Sequence, residues 1–203
     1  MIKAIIFDFD GVLMDSKKIL HDFIIQYHPE ISEKEIEKIF CDNPHKNPII
    51  RNFIKNNLEE LDNFFKDKTT KEHFFKGSKE LIEKIESKYQ LFINTSAPSY
   101  NVKSFLSLIG KQNSFKEILG FEIEISKVKK FEMIVNKYNL KKEDYLFITD
   151  TLGDLRESEE AEINSIGVTW GVHRRETLEQ GTSIAIVDTF EELLSKIQIT
   201  KNF

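Results

Sequence analysis

Two pairs of aspartates stand where apolar runs stop. Ile2 to Phe7 gives way to Asp8-Phe9-Asp10-Gly11, and Tyr145-Leu146-Phe147-Ile148 gives way to Thr149-Asp150-Thr151-Leu152-Gly153-Asp154. Side chains at i and i+2 of a strand share a face, so Asp8 and Asp10 are expected to emerge together. Like charges held together are costly, which points to a divalent metal, a shared proton, or both. A third apolar run, Leu91-Phe92-Ile93, ends in Asn94-Thr95-Ser96, where Thr95 and Ser96 have hydroxyls to donate. That stretch would serve equally as a turn capping a helix from about Ser99. Lys127 opens a further helix after Ser126, a basic first turn that the helix dipole does not favour.

These groups need a scaffold that brings strand ends to one edge. The run Ile2 to Phe7 lacks polar alternation, which suits a strand of a parallel sheet covered on both faces, with Gly11 ending it. Open α/β sheets place ligands at the carboxyl ends of their strands. From Asp15 to about Lys76 strand-like runs vanish and apolar residues recur at helical spacing: Ile19, Phe23, Tyr27; Ile36, Ile39, Phe40; Ile50, Phe53, Ile54, Leu58, Leu61, Phe64, Phe65. Ser32 with Glu35 reads as a capping box, and Asn47-Pro48 as an N-cap with proline in the first turn. From Gly77 strands and helices alternate again. Ser78 is expected to cap a helix, Ile118 to Ile125 and Ser165 to Thr169 are strand-like, and a last strand lies near Ile184 to Val187. Thr189 with Glu192 caps the final helix. The expected fold is α/β: a Rossmann-like parallel sheet core with helices on both faces, formed by residues 1–14 and 77–203, and an inserted all-helical segment at 15–76.

The stretch Asp8-Phe9-Asp10-Gly11-Val12-Leu13 resembles the first motif of the haloacid dehalogenase-like hydrolases, a superfamily made up mostly of magnesium-dependent phosphatases. Thr95-Ser96 is similar to its second motif, Lys127 to its third, and Asp150 with Asp154 to its fourth, all in the superfamily's order. The third motif usually continues Pro-x-Pro, where this chain has Val128 and Lys130, so Lys129 or Lys130 competes with Lys127. Thr149 stands where the fourth motif commonly has glycine. One large branch carries a small helical cap after the first motif, as residues 15–76 would be. The loop Gly167-Val168-Thr169-Trp170-Gly171 resembles the phosphoglycolate phosphatase-like branch.

The resemblance implies that Asp8 is the nucleophile and Asp10 the general acid and base. It implies phosphate binding by Thr95, with Ser96 the near competitor, and by Lys127. Magnesium would be held by the Asp8 carboxylate, the Asp10 main-chain carbonyl, Asp150 and waters. Asp154 would act through a water or by orienting Lys127. The implied reaction is magnesium-dependent hydrolysis of a small phosphorylated metabolite through an aspartyl-phosphate. A sugar-phosphate mutase uses the same motifs, with a cap histidine that aligns with Leu20, and His21 is one place off. A halogen-removing enzyme is disfavoured by Asp10, Asp150 and Asp154, and a non-catalytic binding module by the intact set Asp8, Asp10, Lys127 and Asp150.

Composition narrows the partners. A net charge of -5 gives no electrostatic footprint for nucleic acid or an anionic membrane surface. No apolar run is long enough to span a bilayer. Cys41 is the single cysteine, so an internal disulfide is excluded. With the chain entering its first strand directly, a cytoplasmic monomer or homodimer is expected. His21, His28, His45, His73 and Arg51 all fall in the helical segment, none with a partner at metal-ligand spacing. Arg51 and His45, and in the later loop His173 and Arg174, are candidates for touching substrate.

Overall fold

The computed structural model describes residues 1–32, 35–36, 52–53 and 55–199. Six strands, β1 (Ala4–Phe7), β2 (Gln90–Asn94), β3 (Glu117–Leu119), β4 (Tyr145–Thr149), β5 (Asn164–Val168) and β6 (Ala185–Val187), form one sheet in the order β3-β2-β1-β4-β5-β6. Every pairing is parallel. The helices are α1 (Lys17–Tyr27), α2 (Leu58–Lys68), α3 (Ser78–Ile85), α4 (Ser99–Leu108), α5 (Lys127–Tyr138), α6 (Leu152–Glu160), α7 (Arg175–Leu178) and α8 (Phe190–Ile199). This is the expected Rossmann-like α/β architecture. No helix among the described residues is long and apolar enough to cross a membrane.

The unalternating apolar strands follow from burial on both faces. Ile5, Phe7, Leu91, Ile93, Leu146 and Ile148 point into one core, which α3, α4 and α8 cover with Leu81, Ile82, Phe105, Leu106, Leu193 and Ile197. Ala4, Ile6, Phe92, Tyr145 and Phe147 point into the other, covered by Phe131 and Ile134 of α5. The strand order reverses between β1 and β4, and that switch point is where such sheets open a crevice. Phe7 pairs with Ile148, and the Asp8 N–H donates to the Ile148 carbonyl at 2.9 Å. Continued one step, that register sets Asp8 level with Thr149, the residue before Asp150.

Two expectations differ in detail. Of the strand-like stretch Ile118 to Ile125 only its start pairs, and Ile123 and Ile125 are exposed. The chain turns at Gly120, where any Cβ would overlap the Ser99 amide and the Ala97 carbonyl. Gly77, at φ 109°, occupies the cap position of α3, and the Ser78 hydroxyl instead donates to the Leu13 carbonyl at 2.8 Å.

The segment between β1 and α3 leaves and returns through adjoining backbone. The Asp15 N–H donates to the His73 carbonyl at 2.7 Å and the Phe75 N–H to the Leu13 carbonyl at 3.1 Å. Its aromatic stripe is packing: Phe23 lies edge-on to Phe64 at 5.4 Å and to Phe53 at 6.4 Å. Ser32 forms half of the expected capping box: its N–H donates to the Glu35 carboxylate at 3.0 Å, but its hydroxyl also donates there, and the Glu35 N–H goes to the Ser32 main-chain carbonyl. His28 meets Asn57 and Glu30, His73 meets Thr70, and His21 lies 3.8 Å from Asp22, so these histidines have local partners. Cys41, His45, Arg51 and the Asn47-Pro48 cap lie outside the described residues.

Candidate active site

Asp8 follows β1 directly and is buried. One of its oxygens, Oδ1, accepts from the Phe9 N–H at 2.7 Å; the other, Oδ2, accepts from Lys127 Nζ at 2.8 Å. Asp10 is half-buried and lines the same cavity, but the pleat does not align the two. The chain has already left the strand, and Gly11, at φ 75°, turns it back so that its N–H reaches the Met14 carbonyl at 2.8 Å. Burial raises the Asp10 carboxyl above the ordinary carboxylate range, against a hydrogen bond from Ser16.

Lys127, Lys130, Phe131 and Ile134 form the buried face of α5, at i, i+3, i+4 and i+7. Helical phase thus separates the three lysines. Lys127 Nζ donates to Asp8 and, at 2.6 Å, to Asp154 Oδ2. Lys129 is exposed, 3.8 Å from Glu124. Lys130 is buried and donates to the Thr95 carbonyl at 2.6 Å, bracing the turn after β2 from below. Burial lowers its ammonium to about 8. Burial also opposes the charge on Lys127, but the Asp154 and Asp8 carboxylates outweigh it and hold the ammonium protonated.

Asp154 is fixed by Lys127, by the Thr149 hydroxyl at 2.8 Å and by its own N–H to Thr151. Thr149 in the glycine position therefore has a structural use. Of the two hydroxyl candidates, Ser96 lines the cavity, while the Thr95 hydroxyl accepts from the Ala97 N–H at 3.0 Å within the turn.

Asp150 is held by backbone. Its Oδ2 accepts from the Val172 N–H at 2.7 Å, and Gly11 and Gly171 approach so closely that a Cβ on either would overlap its carboxylate. Oδ1 is buried with no partner among the described residues, and burial raises the carboxyl from 3.8 to about 7. A buried carboxylate oxygen without a partner fits a bound cation. Among the described residues no three His, Cys, Asp or Glu side chains form a ready-made metal cluster. Asp154 faces Lys127, so an ion here would rest on Asp8, Asp150 and main-chain oxygen. An oxygen-only set of that kind fits magnesium. Gly11→Ala is expected to destabilise the fold by about 1–3 kcal/mol from backbone strain alone. Urea denaturation tests this, and an unchanged midpoint would contradict the close packing around Asp150.

Residues 5–168 match the model of the haloacid dehalogenase-like hydrolases. The chain belongs to that family. It is 22% identical to a phosphoglycolate phosphatase of Vibrio parahaemolyticus, over 98% of this chain and 97% of that protein. A haloacid dehalogenase-like hydrolase of Streptococcus pneumoniae superposes with a TM-score of 0.83 at 22% identity, covering 97% of this chain and 99% of its own. A β-phosphoglucomutase of Clostridium difficile superposes with 0.77 at 21% identity, covering 100% and 98%. At these identities the structures establish the shared fold.

Sequence reasoning noted the loop that holds Trp170 but not its packing, and did not single out Asp62 or Asn101. Trp170 stacks on Phe190 at 4.4 Å and donates to the Val12 carbonyl at 3.1 Å, closing the first-motif turn. Asp62 and Asn101, which line the cavity, carry no motif spacing that could mark them. His173 Nδ1 accepts from the Leu152 N–H at 2.9 Å, Arg174 is exposed, and neither lines the cavity.

Proposed function

We propose that the protein is a magnesium-dependent phosphatase that hydrolyses small phosphomonoesters through an aspartyl-phosphate on Asp8. The observation that carries this reading is Lys127 at the cavity floor, bonded to both Asp8 and Asp154. Asp8 attacks phosphorus, forming an Oδ–P bond as the bond to the alcohol breaks. Asp10 gives its proton to the departing alkoxide, then accepts one from the water that cleaves the acyl-phosphate. Acid-base help of this kind supplies about 10²–10⁴ in rate. Lys127, with the hydroxyl and amide groups of Thr95 and Ser96, binds the equatorial oxygens. Magnesium on Asp8, Asp150 and the Asp10 carbonyl would offset repulsion between carboxylate and phosphate. Residues 15–76 act as the cap, closing over the ester and excluding water.

A mutase would need an acid and base in the cap facing the phosphoryl group. Leu20 lines the cavity at the position that matters, and His21 does not, which favours transfer to water. An aryl phosphate assayed with magnesium, and again in excess chelator, tests the reading. Turnover only with magnesium is expected, and full activity in chelator would refute it.

Thermal melts give an independent test. Without metal, Asp150 has a folded pKa of about 7 against 3.8 for an ordinary carboxyl, and Asp8 and Asp10 are shifted the same way, chiefly by burial. Their contribution to stability is complete below the unfolded value and is lost as pH rises through the folded one. The metal-free Tm should therefore fall between pH 5 and 8, and magnesium should raise it more at pH 8 than at pH 5. A Tm indifferent to magnesium at both pH values would contradict the metal assignment.

A further inference from the structure

The family's third motif usually has proline where this chain has Lys130. A proline there is neutral, whereas lysine places a second ammonium in the core, fully buried and one helical turn from the buried Lys127. Like charges at that spacing repel, and a buried charge is costly unless it is partnered. Burial is the largest influence on the Lys130 ammonium and Lys127 the next. The carboxylates of Asp8, and of Asp154 and Glu157 on α6, act the other way, and the outcome is a pKa brought down to about 8. A charge kept in so unfavourable a place calls for a use. Its hydrogen bond runs to the turn after β2: Lys130 Nζ donates to the Thr95 carbonyl at 2.6 Å. A reciprocal bond ties the same two elements, since Asn94 Nδ2 donates to the Lys127 carbonyl at 3.0 Å. The hydroxyl turn and the helix that carries Lys127 are therefore clamped together from both sides.

The Thr95–Ser96 peptide is trans, so its carbonyl and its N–H point in opposite directions across one plane. Holding the carbonyl on Lys130 fixes the direction of the Ser96 N–H, and Ser96 lines the cavity. A cation on the carbonyl oxygen also polarises the amide and strengthens its N–H as a donor. Resting on the phosphatase reading, we propose that Lys130 is a positioning residue: its ammonium aims and polarises the Ser96 N–H as a donor to the phosphoryl oxygens, serving the transition state through the Thr95–Ser96 peptide without touching the ester. A phosphoryl dianion at the cavity floor offsets the repulsion between the two ammoniums.

The test follows turnover of an aryl phosphate with magnesium by the whole chain as wild type, Lys130→Met and Lys130→Arg. Lys130→Met keeps most of the stem and loses both charge and donor. Its kcat should fall at least tenfold while KM changes less than threefold, because the misdirected amide serves the transition state more than the bound ester. Wild-type kcat/KM should decline above about pH 8 as Lys130 gives up its proton. Lys130→Arg keeps its charge throughout that range, so it should hold at least a third of wild-type kcat at pH 7 and lack the decline. A purely structural lysine would move neither the split between kcat and KM nor the basic limb. A kcat of Lys130→Met within threefold of wild type, or a basic limb unchanged in Lys130→Arg, would overturn the inference alone. Should Lys130→Met fail to fold, the wild-type profile still decides, and a flat one through about pH 9 would overturn it. No magnesium-dependent turnover by the wild type would overturn the phosphatase reading and the inference with it.

Discussion

Asp8→Asn should cut kcat by at least about three powers of ten while the folded protein remains as stable as before or gains stability. The amide keeps the size of the carboxylate and can keep the bond from the Phe9 N–H, but it cannot form an acyl-phosphate. The stability half follows from burial, which raises the Asp8 carboxyl well above its ordinary range and makes its charged form the costly one. Removing that charge leaves Lys127 shared with Asp154 alone, still a paired cation. Rapid acid quench with a labelled ester should trap phosphoenzyme in the wild type and none in the variant. A variant that keeps a tenth of wild-type activity, with the substitution verified, would remove Asp8 from the nucleophile's role.

The chemistry was legible where local sequence sets local structure. Ile2 to Phe7 and Tyr145 to Ile148 have no polar alternation because both faces of the central strands are covered, and their carboxylates follow at the ends. Lys127 could not be separated from Lys129 and Lys130 by composition, since three lysines stand within four positions. Only the helical phase, set by Phe131 and Ile134 against the sheet, turns 127 and 130 inward and leaves 129 in solvent. Even then their roles depend on what lies opposite: Asp8 and Asp154 for one, the Thr95 carbonyl for the other. The strand-like stretch Ile118 to Ile125 misled for a similar reason. Its apolar residues suit a strand, but the close passage of Gly120 under Ala97 and Ser99 bends the chain away after Leu119. Asp62 and Asn101 were illegible because they sit 39 positions apart and meet only when α2 packs near α4.

Lys127→Met should destabilise the protein by about 3–5 kcal/mol, the cost of stranding buried carboxylates by removing their shared partner. Asp8 and Asp154 both contact this one ammonium, and each is under a tenth exposed. Methionine fills the space of the aliphatic stem but cannot separate two like charges, so one of them must take up a proton or the site must open. Asp154 faces the larger loss, because Lys127 holds its carboxyl below the ordinary range against the effect of burial. Its stabilising contribution is present above the unfolded pKa and lost as pH falls through the folded one. Without Lys127 that benefit disappears, and the variant's deficit should shrink as pH is lowered towards 4. The double variant Lys127→Met with Asp154→Asn should recover more than half of the lost stability, since the stranded charge is gone, yet recover no turnover. Urea denaturation at pH 7 and pH 5 with parallel assays separates the two effects. Equal stability of Lys127→Met and wild type at pH 7 would show that the buried carboxylates do not depend on this lysine. Activity restored in the double variant would show that its charge is not what binds the phosphoryl group.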